Sequence, residues 1–127
     1  MKQKKETSMP IVNFNAAGID IGSRSHFIAV GQNQEDVKEF GVDTQSHQAA
    51  IDFLRQRQIR TIAMESTGSY WQALFAALQG AGFEVLLVPG NQTVNARKKT
   101  DVKDCQWIQK LHTLGLLSGS FLPDPTT

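Results

Sequence analysis

Cysteine is almost missing from this chain: Cys105 is the single one among 127 residues. No internal disulfide can form, and the sequence reads as that of a protein from a reducing cytoplasm. Long apolar runs are missing too. None approaches the ~20 residues that a membrane helix needs, so no membrane partner is expected. The opening stretch, Met1 to Met9, is basic and polar with no apolar run behind it, and does not read as a secretory signal. A dominant charge is missing as well. The formal net charge is +1, so bulk electrostatics do not mark a nucleic-acid binder. Histidine is sparse: His26, His47 and His112 are scattered, and each reads as a structural or surface residue. No internal repeat is present.

What remains is an ordinary globular composition, 40% hydrophobic and 20% charged, in a length that suits one domain. Such a domain buries roughly two-thirds of its unfolded surface, enough for a core. Charge is local rather than global. Lys2, Lys4 and Lys5 form a basic tail, and Arg97, Lys98 and Lys99 form a second cluster just before Asp101. Taken alone, either run reads as solvated surface.

Residues 1–13 are expected to be disordered. Residues 15–21 and 25–31 read as strands joined by a tight turn at Gly22-Ser23-Arg24, with a weaker strand near Val37–Val42. Helical periodicity runs from Gln45 to Gln58 through Ala49, Ala50, Phe53 and Leu54, with Thr44 or Ser46 as N-cap. Arg60–Met64 is a short apolar strand ending at Glu65, Tyr70–Leu78 a helix stopped by Gly80 and Gly82, and Phe83–Val88 a buried strand closed by Pro89-Gly90. A polar loop spans Asn91–Thr100. The last helix runs from Asp101 to about Leu117, before a Gly/Pro-containing tail. The order is β-β-β-α-β-α-β-α. Three closely spaced leading strands suggest an antiparallel meander, and the later alternation suggests parallel crossovers. The expected fold is therefore α/β, a ribonuclease H-like mixed five-stranded sheet with flanking helices.

Four acids stand out against that frame. Asp20 lies in Gly18-Ile19-Asp20-Ile21-Gly22, Glu65 in Met64-Glu65-Ser66-Thr67-Gly68, and Asp101 and Asp104 in Lys99-Thr100-Asp101-Val102-Lys103-Asp104-Cys105. The last two, three apart, share one helix face. Asp101 and Asp104 taken alone are also ordinary first-turn charges, and Glu65 taken alone an ordinary cap. Asp20 is harder to dismiss, because a carboxylate inside an apolar strand needs a partner. Jointly, carboxylates drawn from strand ends and a helix are the hard oxygen ligands that Mg²⁺ or Mn²⁺ prefers. Two such ions about 3.5–4 Å apart activate the attacking oxygen and stabilise the leaving oxygen of a phosphodiester. Metal binding should then stabilise the fold.

The strings Met-Glu-Ser-Thr-Gly-Ser-Tyr-Trp (64–71), Arg-Lys-Lys-Thr-Asp-Val-Lys-Asp-Cys-Gln-Trp (97–107) and Leu-His-Thr-Leu-Gly-Leu-Leu (111–117), with Gly-Ile-Asp-Ile-Gly, resemble the N-terminal domain of DEDD-type transposases of the insertion-sequence 110 group. That domain is similar to RuvC-like Holliday-junction resolvases. The resemblance covers roughly residues 15–123. It implies that Asp20, Glu65, Asp101 and Asp104 are the acidic tetrad of a Mg²⁺-dependent DNA recombinase of a bacterial or archaeal mobile element. It also implies a structured guide RNA, homo-oligomers on DNA, and a second, C-terminal transposase domain with a serine nucleophile. On that basis residues 14–118 are the catalytic domain and 119–127 the start of a linker to a missing domain, so the chain alone should bind metal without completing transposition.

In this context the basic cluster Arg97, Lys98, Lys99, with Lys103, is well placed to meet a phosphate backbone. Thr67 and Gly68 are candidates for a close phosphate approach at a helix start. Trp71, Trp107 and Tyr70 read as helix–sheet packing, Cys105 as a small buried apolar residue, and Ser66 as a nucleophile without an activating base. Two other functions compete. One is an actin-like or sugar-kinase nucleotide-binding domain, whose opening Asp-x-Gly turn cradles phosphates. The other is a non-catalytic fragment that only dimerises or binds nucleic acid.

Overall fold

The computed structural model describes residues 9–65, 68–89 and 101–119, the side chains of 101–103 excepted. Among these described residues are five strands and three helices: β1 (Ala16–Ile21), β2 (Ser25–Ala29), β3 (Val37–Gly41), α1 (Thr44–Gln56), β4 (Thr61–Glu65), α2 (Gln72–Gly80), β5 (Glu84–Val88) and α3 (Asp101–Thr113). A single 3-10 turn at Gln34–Asp36 joins β2 to β3. The strands form one sheet in the order β3-β2-β1-β4-β5. β1 pairs antiparallel with β2, and β2 with β3; β1 pairs parallel with β4, and β4 with β5. This is the mixed five-stranded sheet that the order of elements predicts.

Period-two alternation sorts each strand between two layers of helix. Ile19, Ile28, Ile62, Met64 and Val85 join Ala50, Ile51 and Leu54 of α1 and Leu74, Phe75 and Leu78 of α2 in the larger core. Ala63, Leu86 and Val88 turn the other way, onto Ile108 of α3. β1 and β4 are therefore covered on both faces, which is why they read as near-continuous apolar runs. α3 lies close on β1. A Cβ added to Gly18 would run into the backbone nitrogen of Gln109 and stand 2.6 Å from the Cys105 carbonyl oxygen.

Each helix ends in the same way. A residue with positive φ follows it, at Gln58 (60°), Gly82 (97°) and Gly115 (71°). The next N–H reaches back to the last turn: Ile59 to Leu54 O, Phe83 to Leu78 O, Leu116 to Leu111 O. That is the paired-bond, left-handed cap that satisfies orphan carbonyls. It corrects the expected end of the last helix from about Leu117 to Thr113, since Gly115 turns the chain first. The N-cap of α1 is Asp43, not Thr44 or Ser46. The Ser46 hydroxyl instead donates to the Asp43 carboxylate.

Residues 1–8 of the expected disordered tail lie outside the described residues. Its end is held: the N–H groups of Val12 and Asn13 both donate to Thr113 O, and Asn13 Nδ2 donates to His112 O. Among the described residues no helix is long and apolar enough to cross a membrane.

Candidate functional site

The parallel pairing of β1 with β4 decides where the first two acids go. Its register runs Ala16–Thr61, Ala17–Ile62, Gly18–Ala63, Ile19–Met64. One step further along each strand stand Asp20 and Glu65. In-register neighbours on parallel strands project to the same face. That face is the one under α3, because Gly18 and Ala63, two residues back on each strand, both meet that helix. Asp20 and Glu65 are both half-buried. On their outer sides Asp20 stands opposite Phe27 of β2, and Glu65 opposite Val88 of β5.

The start of α3 comes down on the same end of the sheet. Cys105 is fully buried there, and its thiol is pushed up to about 12, first by burial and then by the negative charges of Asp20 and Asp104. A carboxylate from β1 and one from α3 thus act on a single sulfur. At neutral pH that thiol is protonated. Asp104 is half-buried. Asp101 is the first residue of α3; its side chain lies outside the described residues, as do the side chain of Lys103 and the whole of Ser66, Thr67, Arg97, Lys98 and Lys99. Among the described residues no three His, Cys, Asp or Glu side chains are gathered closely enough to hold a metal ion. Among the described residues, the side chains that Asp20, Glu65 and Asp104 bring to this end carry carboxylate oxygens. Carboxylate oxygens are the donor type that a hard divalent cation prefers.

All three histidines are structural, as the sequence suggests. His26 and His47 are buried on the opposite face, their rings stacked 6.3 Å apart. His112 shares a 2.9 Å hydrogen bond with the Thr61 hydroxyl at the start of β4, four residues and about 13 Å from Glu65. Trp71 packs edge-to-face on Phe75, its indole N–H donating to Gly68 O. Trp107 is half-buried on α3. Tyr70 departs from the expected packing. It is 58% exposed, because α2 starts only at Gln72 and Tyr70 lies in the preceding turn.

The glycines of the first motif are occupied by the protein itself. Gly18 admits the α3 backbone, and a Cβ at Gly22 would stand 2.6 Å from Ser25 O in the hairpin turn. An open cleft of about 450 Å³, lined by Arg55, Ile59, Arg60 and Glu84 among others, lies where β4 and β5 begin, at the opposite end from the acids. Three glutamines given no role by the sequence, Gln32, Gln109 and the Gln106 of the 97–107 string, join α3 to the β2–β3 connection. The sequence signals are Gln106 inside that string and a polar side chain, Gln109, on the buried stripe of α3.

A family model of DEDD transposases of the insertion-sequence 110 group, described as transposase, matches residues 17–127. No curated protein matches the chain. Among solved structures, T. thermophilus RuvC in complex with Holliday junction substrate is similar with a TM-score of 0.55, over 83% of this chain and 99% of that one, at 15% identity. At that identity the likeness is one of fold.

Proposed function

Because this chain belongs to the insertion-sequence 110 family of DEDD transposases, we propose that Asp20, Glu65, Asp101 and Asp104 form its catalytic acidic tetrad and bind Mg²⁺ or Mn²⁺. The observation that carries this reading is the β1–β4 register, which makes Asp20 and Glu65 neighbours on the face that α3 covers. The Asp20 and Asp104 charges that both reach Cys105 support it independently. When bound, the divalent cations supply an activated attacking oxygen and stabilise charge on the leaving oxygen of a phosphodiester. The chain's own part is placement. Two carboxylates extend from paired strands, which are rigid, and two from the first turn of a helix, whose N-terminal dipole also favours an approaching phosphate.

The substrate is DNA, a reading supported by the family and by the Holliday junction substrate of RuvC. Arg97, Lys98, Lys99 and Lys103, with Thr67, contact its sugar–phosphate backbone. Residues 14–118 act as the catalytic unit and 119–127 lead to a C-terminal transposase domain, with which a structured guide RNA and a homodimer complete the machinery. Residues 14–118 bind metal and nucleic acid.

Thermal melting with and without Mn²⁺ tests the metal assignment. At a hundredfold excess over Kd, a single-site ligand stabilises by about 2.7 kcal/mol. Wild-type protein should show a gain of that order, and an Asp20→Asn/Asp104→Asn double variant little. Equal responses in both would remove the shared metal site.

A further inference from the structure

The close seat of α3 on Gly18 sets how near the helix comes to the sheet, but not its rotation or its position along its own axis. A slide of one helical turn is about 5.4 Å, whereas a metal ligand must sit within about 0.5 Å of its working place. Something else must define the register that Asp104 needs. Its own side of the helix carries the apolar contact of Ile108 with Ala63, Leu86 and Val88. Such contacts are non-directional and tolerate sliding.

The other side of α3 carries directional bonds. Gln109 is 8% exposed, and its amide is satisfied at both ends. Nε2 donates to Ala16 O and to Thr113 Oγ1, each at 3.1 Å, and Oε1 accepts from Gln32 Nε2 at 2.6 Å. Gln106, one turn nearer the acids, donates from Nε2 to Asn33 O at 3.1 Å and Gly31 O at 3.4 Å. Gln32 Nε2 donates in return to Gln106 O at 2.8 Å. The loop that receives these bonds is itself braced. The Asp36 carboxylate accepts from Asn33 N–H and from Arg57. A buried amide that loses its partners keeps its desolvation cost with nothing to offset it. Sliding or rolling α3 would break the buried Gln109–Ala16 bond together with the bonds to Gly31, Gln32 and Asn33, while the Gln109–Thr113 bond lies within the helix and moves with it.

We propose that Gln32, Gln106 and Gln109 are positioning residues that lock α3 in the one register where Asp104 stands over the Asp20–Glu65 end of the sheet. The consequence for metal binding rests on the tetrad reading above; the locking of the helix does not. Neither Gln106 nor Gln109 touches substrate or metal in this account. They act through Asp104, two and five residues earlier on the same helix.

Cys105 provides a metal-independent probe, being the single cysteine of the chain and buried under α3 beside Asp104. The full chain is compared with Gln106→Met/Gln109→Met, which keeps volume and helix propensity, and with Gln32→Ala, which alters only an exposed loop side chain and so folds. Maleimide labelling of Cys105, at fixed pH and well below the melting temperature, is measured beside Mn²⁺ affinity. Labelling should speed up at least severalfold in both variants, most in the double one. Mn²⁺ affinity should fall about tenfold or more, the scale seen when groups orienting metal ligands are removed. Unchanged labelling in both variants overturns the locking role, whatever the metal does. Faster labelling with unchanged Mn²⁺ affinity overturns the link to Asp104. A wild type that does not bind Mn²⁺ removes the tetrad reading and the Asp104 part with it, while labelling still decides whether the glutamines lock the helix.

Discussion

Gly18 shows what one residue can hold in place. It is buried between β1 and α3, and the helix backbone occupies the space where a side chain would stand. Gly18→Ala should destabilise the fold by about 1–3 kcal/mol, the usual cost of overpacking, since the obstacle is backbone and not a flexible side chain. Denaturant melts would show it as a lower midpoint, with a weakened Mn²⁺ response because α3 must lift. The buried histidines set a pH dependence. Burial holds both His26 and His112 below the usual 6.5, with His47 adding to the effect at His26 and Glu84 opposing it at His112. An imidazole kept neutral in the fold but free to protonate when unfolded stabilises above pH 6.5. That contribution is lost as pH falls through and below that value. Melting temperature should therefore drop between pH 7 and 5. His112→Gln, which can still bond Thr61, should flatten part of that drop.

At the level of elements, the three helix ends differ in how well their residues suit the same cap. Gly82 and Gly115 take the left-handed conformation without penalty, while Gln58 takes it with a Cβ. A side chain there costs roughly 1–2 kcal/mol, and glycine returns about 0.5–1 kcal/mol of that in backbone entropy. Gln58→Gly should thus raise stability by about 0.5–1 kcal/mol in equilibrium unfolding, with Asn15 still donating to the residue-58 carbonyl, which is backbone. Element types and most boundaries were legible in the sequence because alternation and the glycine stop at 82 agree with the packing, although Gly80 lies inside α2 as its last residue, so the helix runs past the expected end at Leu78. The end of α3 was not. Leu114, Leu116 and Leu117 extend the apolar pattern past Gly115, and pattern alone does not reveal that Gly115 has turned the chain. Tyr70 differs for a related reason: the expected helix began at Tyr70, whereas α2 begins at Gln72, after the N-cap Trp71.

For the whole molecule, charge is uneven in a way that the net value of +1 hides. Acids converge at the end of β1 and β4, and Arg97, Lys98 and Lys99 precede α3 in sequence by a few residues. If that cluster meets a DNA backbone, replacing all three with alanine should weaken binding at all sequences alike. It should also reduce the slope of log affinity against log salt by about 2–3, from ~0.9 per phosphate contact. A slope equal to that of wild type, measured by salt titration of a labelled duplex, would assign the cluster to solvent.

The amino-acid sequence by itself determined which segments form strands and helices, that one face of β1 and of β4 carries an acid at its end, and which family strings surround those acids. It did so because periodicity and turn chemistry are local. Only the tertiary structure decided that β1 and β4 lie side by side with Ile19 opposite Met64, which makes Asp20 and Glu65 neighbours. It alone decided that α3 is seated on Gly18 and tied down by Gln106 and Gln109. Alternation tells a residue which face it is on, but strand partnership and helix register are set by contacts between segments some forty to ninety positions apart, and no local pattern encodes those.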